Sequence, residues 1–508
     1  MPAAVLRGGF QRRTIAPRAI AVLGLVLALG AAPSRGSVPP NGASAAEPAI
    51  SPFSPLSALA PGVAAPRATV PVAIGTSVVA LNGPWKFHTG DDARWADPRF
   101  DDAGWESVDL TPRPGAHDSD VGLTGYVPGW MARGHANYWG YAWYRMRVSL
   151  TAPPGEPLAV AGPLYVDSAY QLFVDGRLMG GYGDFSRREP AVYSRRPLVF
   201  PLPRMQSAGA GGVVAVVAIR TWMGRGAGAG GPDGGGIHIA PALGEADGIE
   251  ARRQQQWIEI VRGYAVDAAE PVALLLVAVL AWSLAGFERA GGADPADPAD
   301  RSDPANLACR WMIAALLLTA AVRANQPLFF WTHWEDLTVF DLVRNVLLTP
   351  LVLGAWAMAW RAWFRVGRPA WLPACTAALT LLYIAAQLLT RPWLATLPRP
   401  AAAGLHFFVL GLRLLFVLLF VLLLAQGIRH PARGRWLSVL AALAVAVAVF
   451  AQELSAIGVP GIWFPWGTGV SRTEYALAVL TVLLAALLLH RLRDHARGRV
   501  QPVEAGRG

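Results

Sequence analysis

Two pairs of adjacent carboxylates, Asp91-Asp92 and Asp101-Asp102, lie in the segment LNGPWKFHTGDDARWADPRFDDAGWESVDL, Leu81 to Leu110. Paired carboxylates are the equipment of glycoside hydrolysis, where a retaining enzyme sets a nucleophile and an acid/base about 5–5.5 Å apart. Neighbours on a strand point to opposite faces, so neither pair meets that requirement. In a loop, paired aspartates close turns or offer hard oxygen ligands to Ca²⁺. Asp91, Asp92, Asp101 and Asp102 are therefore expected as loop-closing residues, and are only weak metal candidates. There is no zinc-spaced Cys/His cluster, HExxH or GxxxxGK(S/T), and the Gly-rich GAGAGGPDGGG lacks the strand-to-helix setting of a phosphate loop. The expectation is a chain with no catalytic residues and no cofactor: not an enzyme.

Binding is better provided for. Sugars are held by aromatic platforms combined with planar hydrogen-bonding groups. The candidates of that kind are His135, Tyr138, Trp139, Tyr141, Arg145, Asp167, Tyr170 and Trp222. HANYWGY, His135 to Tyr141, is polar and aromatic without strand alternation, so it is expected in a loop and is the favoured contact stretch. Large aromatics dominate sandwich cores, which assigns Trp85, Phe87, Phe100, Trp105, Trp143 and Phe173 to packing. Arg145 is expected first as the buried partner of an aspartate.

These residues need a scaffold, and composition says that it has two parts. Of 508 residues, 54% are hydrophobic and 15% charged, against about 25% charged in ordinary soluble domains, so much of the chain belongs in lipid. The net charge of +10 does not imply nucleic acid. Lys86 is the single lysine, and many arginines sit at the ends of apolar runs, where the membrane explains them. Residues 1–45 follow the order of a secretory signal: Arg7, Arg12, Arg13 and Arg18, then the apolar run Ala19–Ala32, then the small-residue site Ala43-Ser44-Ala45. Residues 46–77, rich in Ala, Pro and Ser, are expected as a disordered linker. Residues 78–245 carry short β-branched and aromatic runs, YAWYRMRVSL, SAYQLFVDGRL and VVAVVAIRTW, separated by turn residues, as a β-sandwich does. Asp175-Gly176 suits a primed hairpin turn.

After a connector at 246–265, seven apolar spans are expected between 266 and 492. They lie near Asp267–Phe287, Ala305–Val322, Leu342–Phe364, Ala370–Leu389, Ala402–Ile428, Trp436–Ile457 and Glu474–Leu492. Arginines such as Arg365, Arg368, Arg429, Arg433, Arg435, Arg493 and Arg497 collect in alternate loops and in the tail 493–508. The other loops carry aromatics, PLFFWTHW and GIWFPW, that suit interfacial anchoring. The sandwich is thus expected outside and the tail in the cytoplasm, in a multi-pass protein of a bacterial inner membrane. Ionisable residues are costly in lipid and mark function. His406 and Glu453 fall at similar depth on consecutive spans and are expected to pair. Arg413 lies deeper, and the three form a candidate coupling layer. Asp267, Glu270 and Arg344 are expected to snorkel to the interface.

The pattern LNGPWKFHTGDD…W…FDDAGWESVDL, with GYAWYRMRV and LFVDGRLMGGYG, resembles the sugar-binding jelly roll (galactose-binding-like) of glycoside hydrolase family 2. The resemblance implies a module that serves as scaffold for a separate catalytic barrel, and no barrel follows. Joined to seven spans, the plan resembles bacterial seven-transmembrane receptors with diverse intracellular signalling modules. That family carries a cytoplasmic output domain, and the residues after the last span are too few to fold as one. The resulting expectation is a non-enzymatic receptor: the jelly roll binds a carbohydrate-like ligand, and the helices, in contact with membrane lipid, relay that state to a separate cytoplasmic signalling protein. The alternatives are a transport or envelope-assembly protein with the sandwich as lid, and an enzyme acting on envelope glycans.

Overall fold

The computed structural model describes residues 70–73, 78–151, 156–203, 213–224, 232–290, 304–391, 399–429, 435–465 and 467–504. The expected signal segment, most of the expected linker and part of the Gly-rich loop (225–231) lie outside them.

The alternation read in the sequence becomes two sheets. The larger has strand order β4 (Glu106–Val108), β3 (Trp85–Thr89), β5 (Gly140–Thr151), β11 (Val213–Met223), β8 (Ala169–Val174), β9 (Arg177–Tyr182). The smaller runs β10 (Val199–Pro201), β6 (Leu158–Ala161), β13 (Ala242–Glu245), β2 (Val79–Ala80). Beside them, β7 (Tyr165–Asp167) pairs with β12 (Gly236–Ile239). The period of two decides which side chains enter the core. From β5, Ala142, Tyr144, Met146 and Val148 point between the sheets, where they meet Leu172 and Val217 of the large sheet and Val160, Phe200 and Leu243 of the small one. Asp175 and Gly176 join β8 to β9 with φ of 48° and 81°, both positive, as a type I′ turn requires.

One strand departs from the expectation. Val70–Ala73, assigned to the linker from sequence, forms β1, parallel to Val148–Thr151 of β5. β3 covers only residues 142–145 of that edge, so the remainder would stand unpaired without β1.

Each sheet has an outer cover. Helix α1 (Ala246–Gly263) lays Ile249 on Ala159, Ala161 and Ala242 of the small sheet. On the large sheet, the loop after β3 brings Ala96, Trp95 and Trp105 over Trp143, Ala218 and Phe173. Of the aromatics assigned to packing, Trp85, Phe87 and Trp143 are fully buried, whereas Phe100, Trp105 and Phe173 are half-buried in this cover. Arg145 is buried beneath it, with Nε 2.9 Å from Asp102 Oδ2, and Arg147 reaches Asp102 Oδ1 at 2.7 Å. Arg145 is thus the structural partner of an aspartate, with no surface left for a ligand.

Among the described residues, six helices are long and apolar enough to cross a membrane. They are α2 (Ala265–Ala290, continuing from α1), α3 (Pro304–Trp331), the run α4 (Leu337–Asp341), π-helical stretch Leu342–Leu348 and α5 (Thr349–Trp363), then α6 (Leu372–Leu389), α7 (Arg399–Arg429) and α10 (Arg472–Glu504). Ala278, Ala281, Ala285, Ala308 and Ala315 are buried where α2 meets α3, and such small residues allow close approach of backbones in lipid. The expected span Trp436–Ile457 is not one long helix. It breaks at Phe450 into α8 (Arg435–Val449) and α9 (Ala451–Ala456). The freed carbonyls find donors: Val449 O accepts from Arg413 at 3.1 Å, Ala448 O from Thr473 at 3.3 Å, and Ala451 O from Arg472 at 2.5 Å. Carbonyls satisfied in this way let a helix break within an apolar bundle.

Burial alone would raise the Asp102 carboxyl pKa, but hydrogen bonds from Arg145 and Arg147 outweigh it and hold it below the ordinary value. Its contribution is therefore present above the unfolded-state pKa and is lost as pH falls through the depressed folded value. Asp102→Ala takes the carboxylate from buried Arg145 and part-buried Arg147, and is expected to cost about 3–5 kcal/mol. Thermal unfolding of the full chain in detergent, followed from neutral to acid pH, should show the gap between wild type and variant closing on acidification.

Candidate functional site

The sandwich is seated on the helices through two loops. Asp118 is buried, and its carboxylate accepts the N–H groups of Asp120, Val121, Gly122 and Leu123 at 2.8–3.2 Å, which pins the loop in one shape. Val121 and Leu123 then pack with Ile260 and Tyr264, with Phe330 and Trp331 at the margin. The Tyr264 hydroxyl donates to Asp120 Oδ2 at 3.0 Å, its ring stacks on Phe330 at 3.9 Å, and Gly469 N donates to Val121 O. In the second seat, Leu337 N donates to Val192 O at 2.7 Å and Ser194 Oγ to Thr332 O at 3.2 Å. The aromatic loops expected as lipid anchors supply much of this surface. His333 stacks on Tyr193 at 5.6 Å and Phe464 packs on His117 at 4.4 Å. His333 and Phe464 thus have the sandwich as partner, whereas Trp334 is exposed.

Within two turns of Tyr264, Asp267 and Glu270 of α2 turn inward to Arg323 of α3. Arg323 Nε is 2.5 Å from Glu270 Oε2, and NH2 bonds to Asp267 and, at 3.1 Å, to Glu474 of α10. All four side chains are 7–8% exposed. Snorkelling of Asp267 and Glu270 is thereby corrected: Arg323 provides a charge-assisted partner that makes the inward position cheaper than leaving two carboxylates at a lipid face. Arg323, which sequence reading passed over, carried a usable signal as an arginine just beyond the apolar run Ala305–Val322.

The coupling layer is also rearranged. Glu453 pairs with Arg413 rather than His406: Arg413 NH2 is 2.8 Å from Glu453 Oε2, Nε bonds to Oε1, and NH1 donates to the Tyr383 hydroxyl at 3.1 Å. A guanidinium fork matches both carboxylate oxygens, which an imidazole cannot do. His406 is exposed, 6.3 Å from the Phe407 ring. Arg344 does not snorkel either; it donates to Gln326 Oε1.

Between the ion cluster, the Arg413–Glu453 pair and the underside of the sandwich lies a cavity of about 470 Å³. Asp120, Asp267, Arg323, Gln326, Arg344 and Glu474 line it on one side, and Tyr383, Gln387, Arg391, Arg413 and Gln452 on the other elements. Thr319 also lines it, and its Oγ1 accepts a hydrogen bond from Trp356 Nε1 at 2.9 Å. Beyond Trp356 the bundle is filled by Trp360, Phe416, Phe420, Leu484 and Leu488, none of which lines the cavity.

The predicted sugar contacts divide into three groups. Tyr141 and Trp222 come together as a cross-strand pair on the outer face of the large sheet, 6.5 Å apart. Sequence reading missed what completes the patch: the Arg220 guanidinium lies 4.2 Å from the Tyr141 ring centroid and 5.5 Å from that of Phe185, and is held by Asp91 and Gln171. The alternation of β11, which puts Arg220 and Trp222 on one face, was the available signal. His135, Tyr138 and Trp139 instead close the end of the sandwich. His135 Nε2 is 3.0 Å from Glu106, the Tyr138 hydroxyl takes Gly90 N–H and donates to Tyr141 O, and Trp139 packs on the core. Tyr170 lies in the core, 2% exposed, and Asp167 is bound by His238 Nε2 and Gly235 N, both at 2.9 Å. Burial raises the Asp167 pKa, but the His238 hydrogen bond and charge prevail, and its carboxyl sits below the ordinary value. The weak metal candidates go separate ways: Asp91 to Arg220 and Trp143, Asp92 to the N-cap and Arg94, Asp101 to Ala103 N, Asp102 to Arg145 and Arg147. Among the described residues, no group of three His, Cys, Asp or Glu is placed to hold a metal ion.

No family model matches the chain, and no curated protein matches it. Part of the chain is similar to solved glycosidase structures. These include a Bacteroides uniformis beta-glucuronidase (19% identity, 33% of this chain and 17% of that one, TM-score 0.25) and a glycosyl hydrolase family 2 member from Bacteroides cellulosilyticus (19%, 33% and 20%, TM-score 0.24). A beta-glycosidase from Bacteroides vulgatus is similar at 17% identity, over 33% of this chain and 20% of that one, with a TM-score of 0.22. The chain thus spans about a fifth of the length of those proteins or less.

Removing Arg323 would leave three buried carboxylates facing one another. Arg323→Ala is expected to cost about 3–5 kcal/mol, whereas exposed His406→Ala should stay within about 0.5 kcal/mol. Denaturation of both variants in detergent checks the pair, and equal losses would contradict the assignment of Arg413 and Arg323 as the buried partners.

Proposed function

We propose that the chain is a multi-pass membrane receptor without catalytic function. The sandwich, built as a jelly roll, binds a carbohydrate-like ligand, and the helices relay the bound state to a separate cytoplasmic protein. The observation that carries this reading is the double seat of the sandwich above the Arg323 cluster. A domain fixed at two loops to α1, α3, α4 and the α9–α10 connection moves only if those elements move. A ligand then acts through its differential affinity for two arrangements of the seat.

In this reading the chain crosses the bilayer seven times, with the broken pair α8–α9 as the sixth crossing. Arg365, Arg368, Arg429, Arg435 and Arg493 lie at or beside the ends of the apolar spans away from the seat, which the positive-inside rule assigns to the cytoplasm. The ligand surface is the patch of Tyr141, Arg220 and Trp222, with Gln171 and Asp91 in support. It offers two aromatic faces and planar hydrogen-bonding groups on the sheet face opposite α1. The packing of Trp356, Trp360, Phe416 and Leu484, none of which lines the cavity, favours a receptor over a conduit.

Full-length protein in detergent, applied to a broad glycan array, is expected to retain at least one glycan class. Trp222→Ala and Arg220→Ala should each weaken that binding about tenfold, equivalent to about 1.4 kcal/mol. Retention of no glycan, or binding untouched by both substitutions, removes the carbohydrate receptor.

A further inference from the structure

We infer that the cavity beneath the sandwich is a second ligand site, for a phosphate- or carboxylate-bearing polar group held by Arg344. Among the described residues four arginines line the cavity, and three of them are ion-paired at contact distance: Arg323 with Asp267, Glu270 and Glu474, Arg391 with Asp341 at 2.5 Å, and Arg413 with Glu453. Arg344 differs. Among the described residues no carboxylate lies within ion-pair reach of it; its guanidinium donates to Gln326 Oε1 and lies 5.5 Å from the Phe340 ring centroid. A guanidinium has five N–H donors, and an unpaired one within a helix bundle is costly unless an anion meets it.

The surroundings are built for a polar occupant. Arg344 and Asn345 sit in the π-helical stretch Leu342–Leu348, a widened turn of the kind found at functional sites. The Thr349 hydroxyl closes that turn on Arg344 O at 2.7 Å. On the facing wall, Gln387 and Arg391 line the same cavity, and the Arg391 Nε is buried without a partner. Asp341 ties the two walls together, accepting from Asn345 on one and pairing with Arg391 on the other. Asp267 and Asp120 also face the cavity and act on Arg344 at longer range, so the anion has to compete with them for that guanidinium. Asp267 and Glu474 are engaged with Arg323, and Asp120 accepts from Tyr264. The amide groups of Gln326, Asn345 and Gln387 suit a polar headgroup or solute rather than an acyl chain. The site does not depend on whether the outer patch binds a sugar.

The test uses the full chain in nanodiscs of phosphatidylcholine, titrated with inorganic phosphate, beside nanodiscs containing phosphatidylglycerol. Phenylglyoxal labels Arg344, and the exposed Arg99 serves as internal control. Phosphate at ten times its dissociation constant should slow Arg344 labelling about tenfold and leave Arg99 unchanged. Protection by free phosphate identifies a soluble anion, and protection only by phosphatidylglycerol identifies a lipid headgroup. Protection by neither overturns the proposal. Phosphate or phosphatidylglycerol, whichever protects, should also raise the thermal midpoint of the wild type and not that of Arg344→Gln. An equal rise in that variant overturns the proposal as well, and labelling of the wild type decides the matter if the variant fails to fold.

Discussion

A guanidinium buried among helices has to be matched on the spot, and Arg323 is matched three times. Its partners lie 53, 56 and 151 residues away in the chain, on α2 and α10. Together with the Arg413–Glu453 pair, this cluster fixes helix register in a bundle held largely by small-residue contacts and dispersion. A shift of α10 by one turn would withdraw Glu474, and a rotation of α2 would leave two carboxylates unpaired. Glu474 also accepts the N–H of Ser471 at 2.6 Å, so the cluster extends into the loop that meets the sandwich.

That connection makes one unit of two architectures with different physics. The sandwich is stable through apolar burial between its sheets, the bundle through close packing and internal polar pairing in lipid. Their junction uses both. Val121, Ile260 and Tyr264 bury apolar surface, while Asp118 spends its carboxylate on four backbone N–H groups so that the loop arrives in one conformation. The helix break at Phe450 belongs to the same scheme. It releases carbonyls for Arg413, Arg472 and Thr473, and those contacts hold the wall of the cavity.

Much of the architecture was legible in the residues. The runs at 141–150 and 213–222 became β5 and β11, Asp175-Gly176 became the turn it resembled, and the apolar runs became helices. Asp92 and Asp101 accept the N–H groups of nearby turn residues, Asp91 and Asp102 instead hold arginines, and Arg145 met an aspartate. The candidate sites were legible only in part. Tyr141 and Trp222 were named, but the Arg220 between them was not, because its value depends on the strand that lies alongside. His406 was matched to Glu453 by depth alone, and depth says nothing about which helix face is turned inward or how far a side chain reaches.

By itself, then, the sequence determined what depends on near neighbours along the chain: strand alternation, primed-turn dihedrals, helix length against bilayer thickness, and the division into a polar, aromatic part and an apolar one. Those features follow from local backbone preference and transfer energy, which need no partner. The tertiary structure decided which charges are paired, which aromatics dock and where space remains. Asp267, Glu270 and Arg344 were expected at an interface with lipid, and their inward positions become favourable only when Arg323, Glu474 and Gln326 are brought beside them. The free energy of a buried charge belongs to the pair or cluster, and a cluster assembled from distant helices has no local signature.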